Sequence, residues 1–428
     1  MARVYPVTIN NGVKQTRYSA EFQTEKEFSV PWKKVLQDAH GKFDVRCCCL
    51  GRGDKELAVR YYEDSDSYGL ARFPLTGEEH GNECRFYAPN PAKSGMGGYE
   101  KGVIDERPDG TTKIRLSVGL TKRDPATVQA APNLDQPAAT GKTRAQPAMR
   151  LLGLLHLLWN EAGLNVWWPA MEKKRNLGRI HWWLNSAAEH IIAGKVKLNS
   201  VLLAGASSET GADAKRNISR VRDAIENQTR LVVIVPLATC SADREKSISS
   251  KLPIAGYHGI PLLEMTEAKW KAAERQFPLA VSAWRQGQRV MAIAQVDPRK
   301  EKRGPVAEVV NLALMQVTQN WIPVDSSYEQ VIADKLTAEQ RGYVKPLRFD
   351  AGEDAVFPDF ILLDTGKDTP MEVFGRTDEA YEARKAEKVE YYKENFGADG
   401  WWCWNAAADT AGARIPPFPL PARRAPNN

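Results

Sequence analysis

The stretch FPDFILLDTGKDTPMEVFG, Phe357 to Gly375, constrains this chain more than any other. Two short apolar runs flank Asp364-Thr365-Gly366-Lys367, residues with turn chemistry, so the segment reads as a β-hairpin. Closing the hairpin on that loop sets Leu363 opposite Asp368 and, counting back along both strands, Asp359 opposite Glu372. Directly opposed residues have Cβ atoms about 4.5–5.5 Å apart, and like charges placed there repel. Two carboxylates on otherwise apolar strands therefore need a compensating cation, and oxygen ligands suit Mg²⁺ or Mn²⁺.

The rest of the chain sets the frame for that hairpin. At 428 residues, 43% hydrophobic and 26% charged, the sequence predicts several domains with real cores. The longest apolar run, Leu151 to Trp159, is far short of a membrane span, and the first residues hold no apolar signal segment. Six cysteines, three of them adjacent, do not resemble a disulfide framework, so the expected compartment is the reducing cytoplasm. The net charge is +6, but 14 Lys/Arg against 7 Asp/Glu between Lys142 and Arg230 give that region +7 and leave the remainder near −1. Such a basic stretch is expected to meet a phosphate backbone, through Lys173, Lys174, Arg175 and Arg179, with DNA favoured over RNA.

The expected fold class is multidomain α/β. Residues 1–118 read as a β-rich module with one helix near Pro31 to Ala39. Residues 119–148 read as a Pro/Ala-rich linker. Residues 149–322 read as a basic middle region, first helical (MRLLGLLHLLWNEAG, ending at Gly163, then RIHWWLNSAAEHIIAGK) and then β-rich. In the β part RLVVIVPLA is one strand, LAVSAWRQGQRVMAIAQV two strands about a turn at Gly287, and VAEVVNLALMQVT either strand or helix. Residues 323–428 read as a small α/β core: a helix starting at Ser326, the hairpin, a helix over 377–395 and a final strand at WWCW, 401–404.

That last region resembles the PD-(D/E)xK, restriction-endonuclease-like nuclease superfamily. The matching pieces are Glu329 on the leading helix, Pro358-Asp359 on the first hairpin strand and Glu372-Val373-Phe374 on the second, about 80 of the 428 residues. The resemblance implies a metal held by Asp359, Glu372, the Val373 backbone and Glu329. It also implies a catalytic lysine two residues after the second acid, where this chain has Phe374. Some branches of the superfamily supply that lysine from the following helix. Here Tyr381, Arg384, Lys385, Lys388 and Tyr392 share one helical face, so Lys388 or Lys385 is the expected replacement. Ser326-Ser327-Tyr328-Glu329 also fits a capping box, leaving Glu329 open between ligand and cap. The whole chain is similar to an uncharacterised bacterial family associated with mobile elements, to which no reaction is assigned.

A second constellation lies near the N-terminus. On a strand, Cys47 and Cys49 point to one side and Cys48 to the other. His80 and Cys84, four apart, share a face if the chain turns there as a helix. Three soft thiols and an imidazole make a closed structural zinc site, with no open position for catalysis. Other signals are weaker. ATGKT at 139–143 lacks the first glycine of a phosphate loop, and GASSETG at 205–211 lacks its Lys-Ser/Thr ending. His156, His181 and His190 sit on apolar helices as core or boundary residues. The Trp pairs 167–168 and 182–183 suit core packing better than base stacking.

The sequence thus predicts a divalent-metal-dependent DNA nuclease with a basic middle region and a zinc scaffold. Two other classes stay open: a catalytically degenerate DNA-binding or mobile-element accessory protein, and a protein–protein adaptor.

Overall fold

The hairpin closes on the loop that its turn residues define. Phe360 pairs with Met371, Ile361 with Pro370 and Leu362 with Thr369, and Gly366 takes the left-handed φ of +85° that the turn requires. One further step of that register brings Asp359 opposite Glu372, and Asp359 N–H donates to the Met371 carbonyl at 3.0 Å. These contacts come from a computed structural model of the protein. It describes residues 3–62, 66–73, 76–88, 93–99, 102–107, 111–122, 147–351 and 357–422. Most of the expected linker, 123–146 with its ATGKT, lies outside the described residues.

Among the described residues the chain forms four sheets. The first is antiparallel, ordered Gln15–Tyr18, Val7–Asn10, Asp44–Cys47, Glu56–Tyr62, Ser67–Arg72. Val7, Ile9, Val45, Cys47 and Leu57 form its buried side, and the helix Ser29–Ala39 buries Leu36 and Ala39. The largest sheet is central and mixed, ordered Leu202–Ala204, Leu231–Pro236, Val290–Glu301, Gly304–Gln316, Leu262–Glu264. Its continuous Val/Ile/Leu/Ala runs are buried on both faces, as a sheet covered by helices demands. The helix Leu151–Glu161 packs there with Trp159 wholly buried, and Gly163 ends it at φ +64°.

In this region one reading changes, one open reading resolves and one helix is shorter than expected. LAVSAWR is a helix, Pro278–Arg285, rather than the first strand of a hairpin. Pro278 opens it, and Ala280, Val281, Ala283 and Trp284 form its buried stripe at helical spacing. The ambiguous VAEVVNLALMQVT is strand, Gly304–Gln316, because it pairs along nearly its whole length with Val290–Glu301. The second expected helix also stops early: it spans Leu177–Ala188, and Ile191–Ala193 leaves it to become a strand.

The C-terminal sheet is ordered Trp402–Trp404, Thr369–Val373, Phe360–Leu362, Tyr343–Val344, Val166–Trp167. The helices Ser327–Ala338 and Glu379–Phe396 precede and follow its central hairpin, and Trp402–Trp404 runs parallel to Thr369–Val373. Sheet pairing crosses the expected domain divisions twice. Val166–Trp167 from the middle region adds an edge strand beside Tyr343–Val344, and Trp167 joins the C-terminal core. Thr112–Ile114 from the N-terminal region pairs in parallel with Ile191–Ala193. Among the described residues no helix is long and apolar enough to cross a membrane.

Candidate functional site

The hairpin delivers its two acids to one buried place. Asp359 is 7% exposed and Glu372 1%. Asp359 Oδ2 accepts from Val373 N–H at 2.8 Å, while its Oδ1 makes no hydrogen bond among the described residues. Glu372 Oε1 accepts from the Tyr392 hydroxyl at 2.8 Å. Lys388 Nζ lies 3.2 and 3.0 Å from the two Glu372 oxygens. Burial pushes Glu372 up to about 8, and the nearby Asp359 charge adds to this against Lys388 and Tyr392.

The helix Glu379–Phe396 places this lysine because Tyr392 anchors one of its faces: the Tyr392 ring is buried and stacks on Trp401 with centroids 5.2 Å apart. Lys388 lies one turn before Tyr392 and so reaches the same strand. Lys385 does not. Its ammonium pairs with Glu382 at 3.1 Å and sits 5.4 Å from the centre of the Phe374 ring. Tyr381 stands close enough to both acids for their charge, after burial itself, to hold its hydroxyl up at about 12.

Glu329 resolves toward the cap. Ser326 Oγ accepts from Glu329 N–H at 3.1 Å, and Glu329 Oε2 accepts from Asp325 N–H at 2.9 Å. The same oxygen meets Lys345 Nζ at 2.8 Å, so this carboxylate is already committed. Burial pushes Glu329 up to about 7, against the pull of Lys345. Lys345 is the residue that sequence reasoning missed. It is 2% exposed, sits 3.1 Å from Asp325, and its charge is held by Asp325, Glu329 and Asp359 together against the cost of burial. Arg348 contacts Asp325 at 3.2 Å and also feels Asp359 and Glu329. His156 adds no charge: burial lowers it to about 4, and its Nδ1 accepts from Phe349 N–H at 2.7 Å. The network therefore sets four carboxyls (Asp325, Glu329, Asp359, Glu372) against three cations (Lys345, Arg348, Lys388). One further positive charge, or one proton, balances it.

The second cluster is of the opposite chemical kind. Cys47, Cys49, His80 and Cys84 are all buried, and their ligand atoms lie within 4.8 Å of one another. Cys47 Sγ is 3.7 Å from Cys84 Sγ, and His80 Nδ1 is 3.5 Å from Cys49 Sγ and 3.7 Å from Cys84 Sγ. Ligands at tetrahedral corners around one zinc, about 2.0–2.3 Å from it, stand roughly 3.3–3.8 Å apart, so the set can hold a structural metal of that kind. It is the one group of three or more His, Cys, Asp or Glu ligand atoms gathered this closely among the described residues. His80 and Cys84 converge through a reverse turn rather than a helical one: Cys84 N–H donates to the Gly81 carbonyl at 2.7 Å. Cys48 stays outside the cluster. The Cys84 hydrogen bond pulls the Cys47 thiol down, and the same bond, with burial, pushes Cys84 up.

The two clusters are tied together at the far end of the hairpin. Asn82, inside the His80–Cys84 turn, donates to Asp368 Oδ1 at 2.9 Å, and the Tyr87 hydroxyl donates to Asp368 Oδ2 at 2.5 Å. Asp368 ends the loop whose strands carry Asp359 and Glu372.

The four expected backbone-contacting cations divide. Lys173, Lys174 and Arg179 are exposed. Arg175 is not available to a phosphate. Its guanidinium donates to the carbonyls of Leu164 at 2.9 Å and Asn320 at 3.0 Å, and to Gly163 and Val166, and burial lowers it to about 10. Arg175 thus fastens the chain after Leu151–Glu161 to the turn at Asn320. Of the Trp pairs, 167–168 is buried, Trp182 is exposed and Trp183 half-buried.

This chain belongs to the family described as protein of unknown function (DUF1173), whose model matches residues 18–407. No curated protein and no solved structure matches it.

Proposed function

We propose that this chain hydrolyses phosphodiester bonds of DNA with a divalent metal ion at Asp359 and Glu372. The observation that carries the reading is the pairing of these two buried carboxylates at one end of a hairpin, with the Lys388 ammonium 3.0 Å from Glu372. Their oxygen donors and the unbalanced negative charge of the surrounding network suit Mg²⁺ or Mn²⁺. Such an ion would supply Lewis-acid charge at the phosphate and a more acidic attacking water. The chain's own residues would do the rest. Val373 N–H fixes Asp359, and Tyr392 fixes Glu372. Lys388 places positive charge where negative charge grows as water oxygen bonds to phosphorus and the bond to the leaving oxygen breaks. Exposed Lys173, Lys174 and Arg179 would meet the backbone of the strand, and a zinc ion at the Cys/His cluster would hold the N-terminal module in shape.

The test is cleavage of single- and double-stranded DNA and of RNA with Mg²⁺ or Mn²⁺. DNA is cut by the wild type and not by Asp359→Ala. No cleavage of any substrate with either ion overturns the reading.

One observation favours a second reading. Both Glu372 oxygens are engaged by Lys388, one of them also by Tyr392, and Phe374 occupies the usual lysine position. On that reading the acid–lysine pair is a structural salt bridge in a DNA-binding accessory protein. Salt-dependent DNA binding without cleavage would be its signature.

A further inference from the structure

A cavity of about 520 Å³ opens between the N-terminal module and the edge of the C-terminal sheet. Its walls are mainly apolar, and the residues lining it include the buried Tyr87 and Trp168 and the half-buried Trp183. Trp168 and Tyr87 share a buried cluster with Val344, Ile361 and Leu363, so this wall is continuous with the hairpin that carries Asp359. Tyr87 is the residue whose hydroxyl holds Asp368. Of the charged side chains lining the cavity five are basic and one, Glu161, is acidic. Arg72 faces Glu161 at 3.5 Å, and Arg175 is spent on carbonyls. Lys174 and Arg179 make no ion pair among the described residues; both are exposed, and Arg179 donates to the Lys174 carbonyl at 2.8 Å. That contact holds the Arg179 guanidinium against the Lys174 backbone.

We infer that this cavity takes a single unpaired nucleotide, base against the aromatic wall and phosphate at Lys174 and Arg179. The inference rests on the nucleic-acid reading above and names where one nucleotide of the substrate would lodge. The physical match has three parts. A planar base offers a π-face to aromatic rings, which stack on any base with little regard to sequence. An apolar lining rewards removal of that face from water. Two exposed cations with no ion pair among the described residues, beside a single carboxylate already facing Arg72, make the rim favourable to an anion. A purely apolar ligand would leave those charges uncompensated, and inorganic phosphate would leave the aromatic wall unused.

The experiment measures binding of deoxynucleoside 5′-monophosphates, and of a short single strand, to the full chain carrying Asp359→Ala, which prevents cleavage. Quenching of tryptophan fluorescence is the readout. Nucleotides are expected to quench and saturate. Trp183→Leu is expected to weaken binding about tenfold, and Lys174→Glu with Arg179→Glu at least tenfold, with metal content unchanged in both. A strand that binds more than tenfold tighter than the mononucleotide identifies a polynucleotide as the source; equal affinities identify free nucleotide; both support the pocket. Inorganic phosphate or an acidic peptide competing as well as the nucleotide overturns it, as does binding indifferent to both variants. Failure here while wild-type protein still cuts DNA leaves the hydrolytic reading intact. Nucleotide binding by a protein that never cuts leaves the pocket intact and removes the hydrolysis.

Discussion

The two clusters solve the same problem, ionisable groups out of water, in opposite ways. The N-terminal one gathers four ligand atoms, from the end of the strand Asp44–Cys47 with the residues just after it and from the His80–Cys84 turn, into a tetrahedron-sized space. The C-terminal one spreads four carboxyls and three cations over the hairpin, the leading helix and Asp325 just before it, the stretch that follows Tyr343–Val344, and the closing helix; among the described residues it leaves Asp359 Oδ1 without a hydrogen bond. A closed set fits a fixed ion and a scaffold. An unbalanced, partly unbonded set fits an exchangeable ion and chemistry. The contrast also shows why burial alone does not identify an active site: Glu329 is as buried as Asp359, yet its charge is answered by Lys345.

The contrast can be broken most forcefully at the soft cluster. Cys84→Ser should abolish a metal content of about one zinc per chain, and it should lower the melting temperature of the N-terminal module by more than about 10 °C, since structural zinc contributes folding energy directly. Elemental analysis with a thermal melt decides. A metal-free protein that melts like the wild type would remove the scaffold from the comparison. Next in size, Asp359→Ala and Glu372→Gln should each reduce DNA hydrolysis about a thousandfold or more while retaining zinc and the native circular dichroism spectrum. Loss of zinc alongside activity would mean the two clusters are not separable.

The lysines sharpen the hard cluster. Lys388→Ala should lower kcat about ten- to a hundredfold with little change in the metal concentration needed, the mark of an interaction made at the transition state. Lys385→Ala, which loses a contact with Glu382, should change kcat by less than about threefold. Equal effects would dissolve the distinction between them. The mildest expected effect is on pH. Glu372 is raised in the folded protein to about 8 from an ordinary 4.5, so the native state holds this proton more tightly than the unfolded chain. The stability this contributes is fully present below the unfolded value and is lost as pH climbs from about 4.5 through about 8. It should fall by at most about 1.4 kcal/mol per pH unit without added divalent ions. Denaturant titrations across that range check the slope, and Glu372→Gln should flatten it.

What could be read from the sequence was whatever short range decides. The hairpin register followed from four turn residues, and the helix start at Ser326 from its hydroxyl cap. The Cys/His grouping was legible from residue type, although a turn, not a helix, aligns His80 with Cys84. Long-range partners were not legible. Lys345 acquires its importance from Asp325 and Glu329, which no spacing rule connects to it. The available hint was a lone lysine in the apolar run Gly342-Tyr343-Val344-Lys345-Pro346-Leu347. Arg175 looked like its basic neighbours until the fold placed four carbonyls around it. The helix Pro278–Arg285 reads as a strand in sequence because a short apolar run carries both periods, and only its packing separates them.

The short strand Val166–Trp167 has a practical consequence for anyone cutting this chain into pieces. A fragment starting near Ser326 would retain the hairpin, both acids and Lys388, and would seem a natural minimal unit. It would also strip the outer side of Tyr343–Val344, baring backbone N–H and C=O groups on a hydrophobic edge, and would remove the fully buried Trp167 from its core. Bare apolar edges recruit other chains, so such a fragment should aggregate. The same long reach orders assembly during synthesis: Val166–Trp167 leaves the ribosome well before Tyr343–Val344 exists, and it must wait, unpaired, for a partner some 177 residues away.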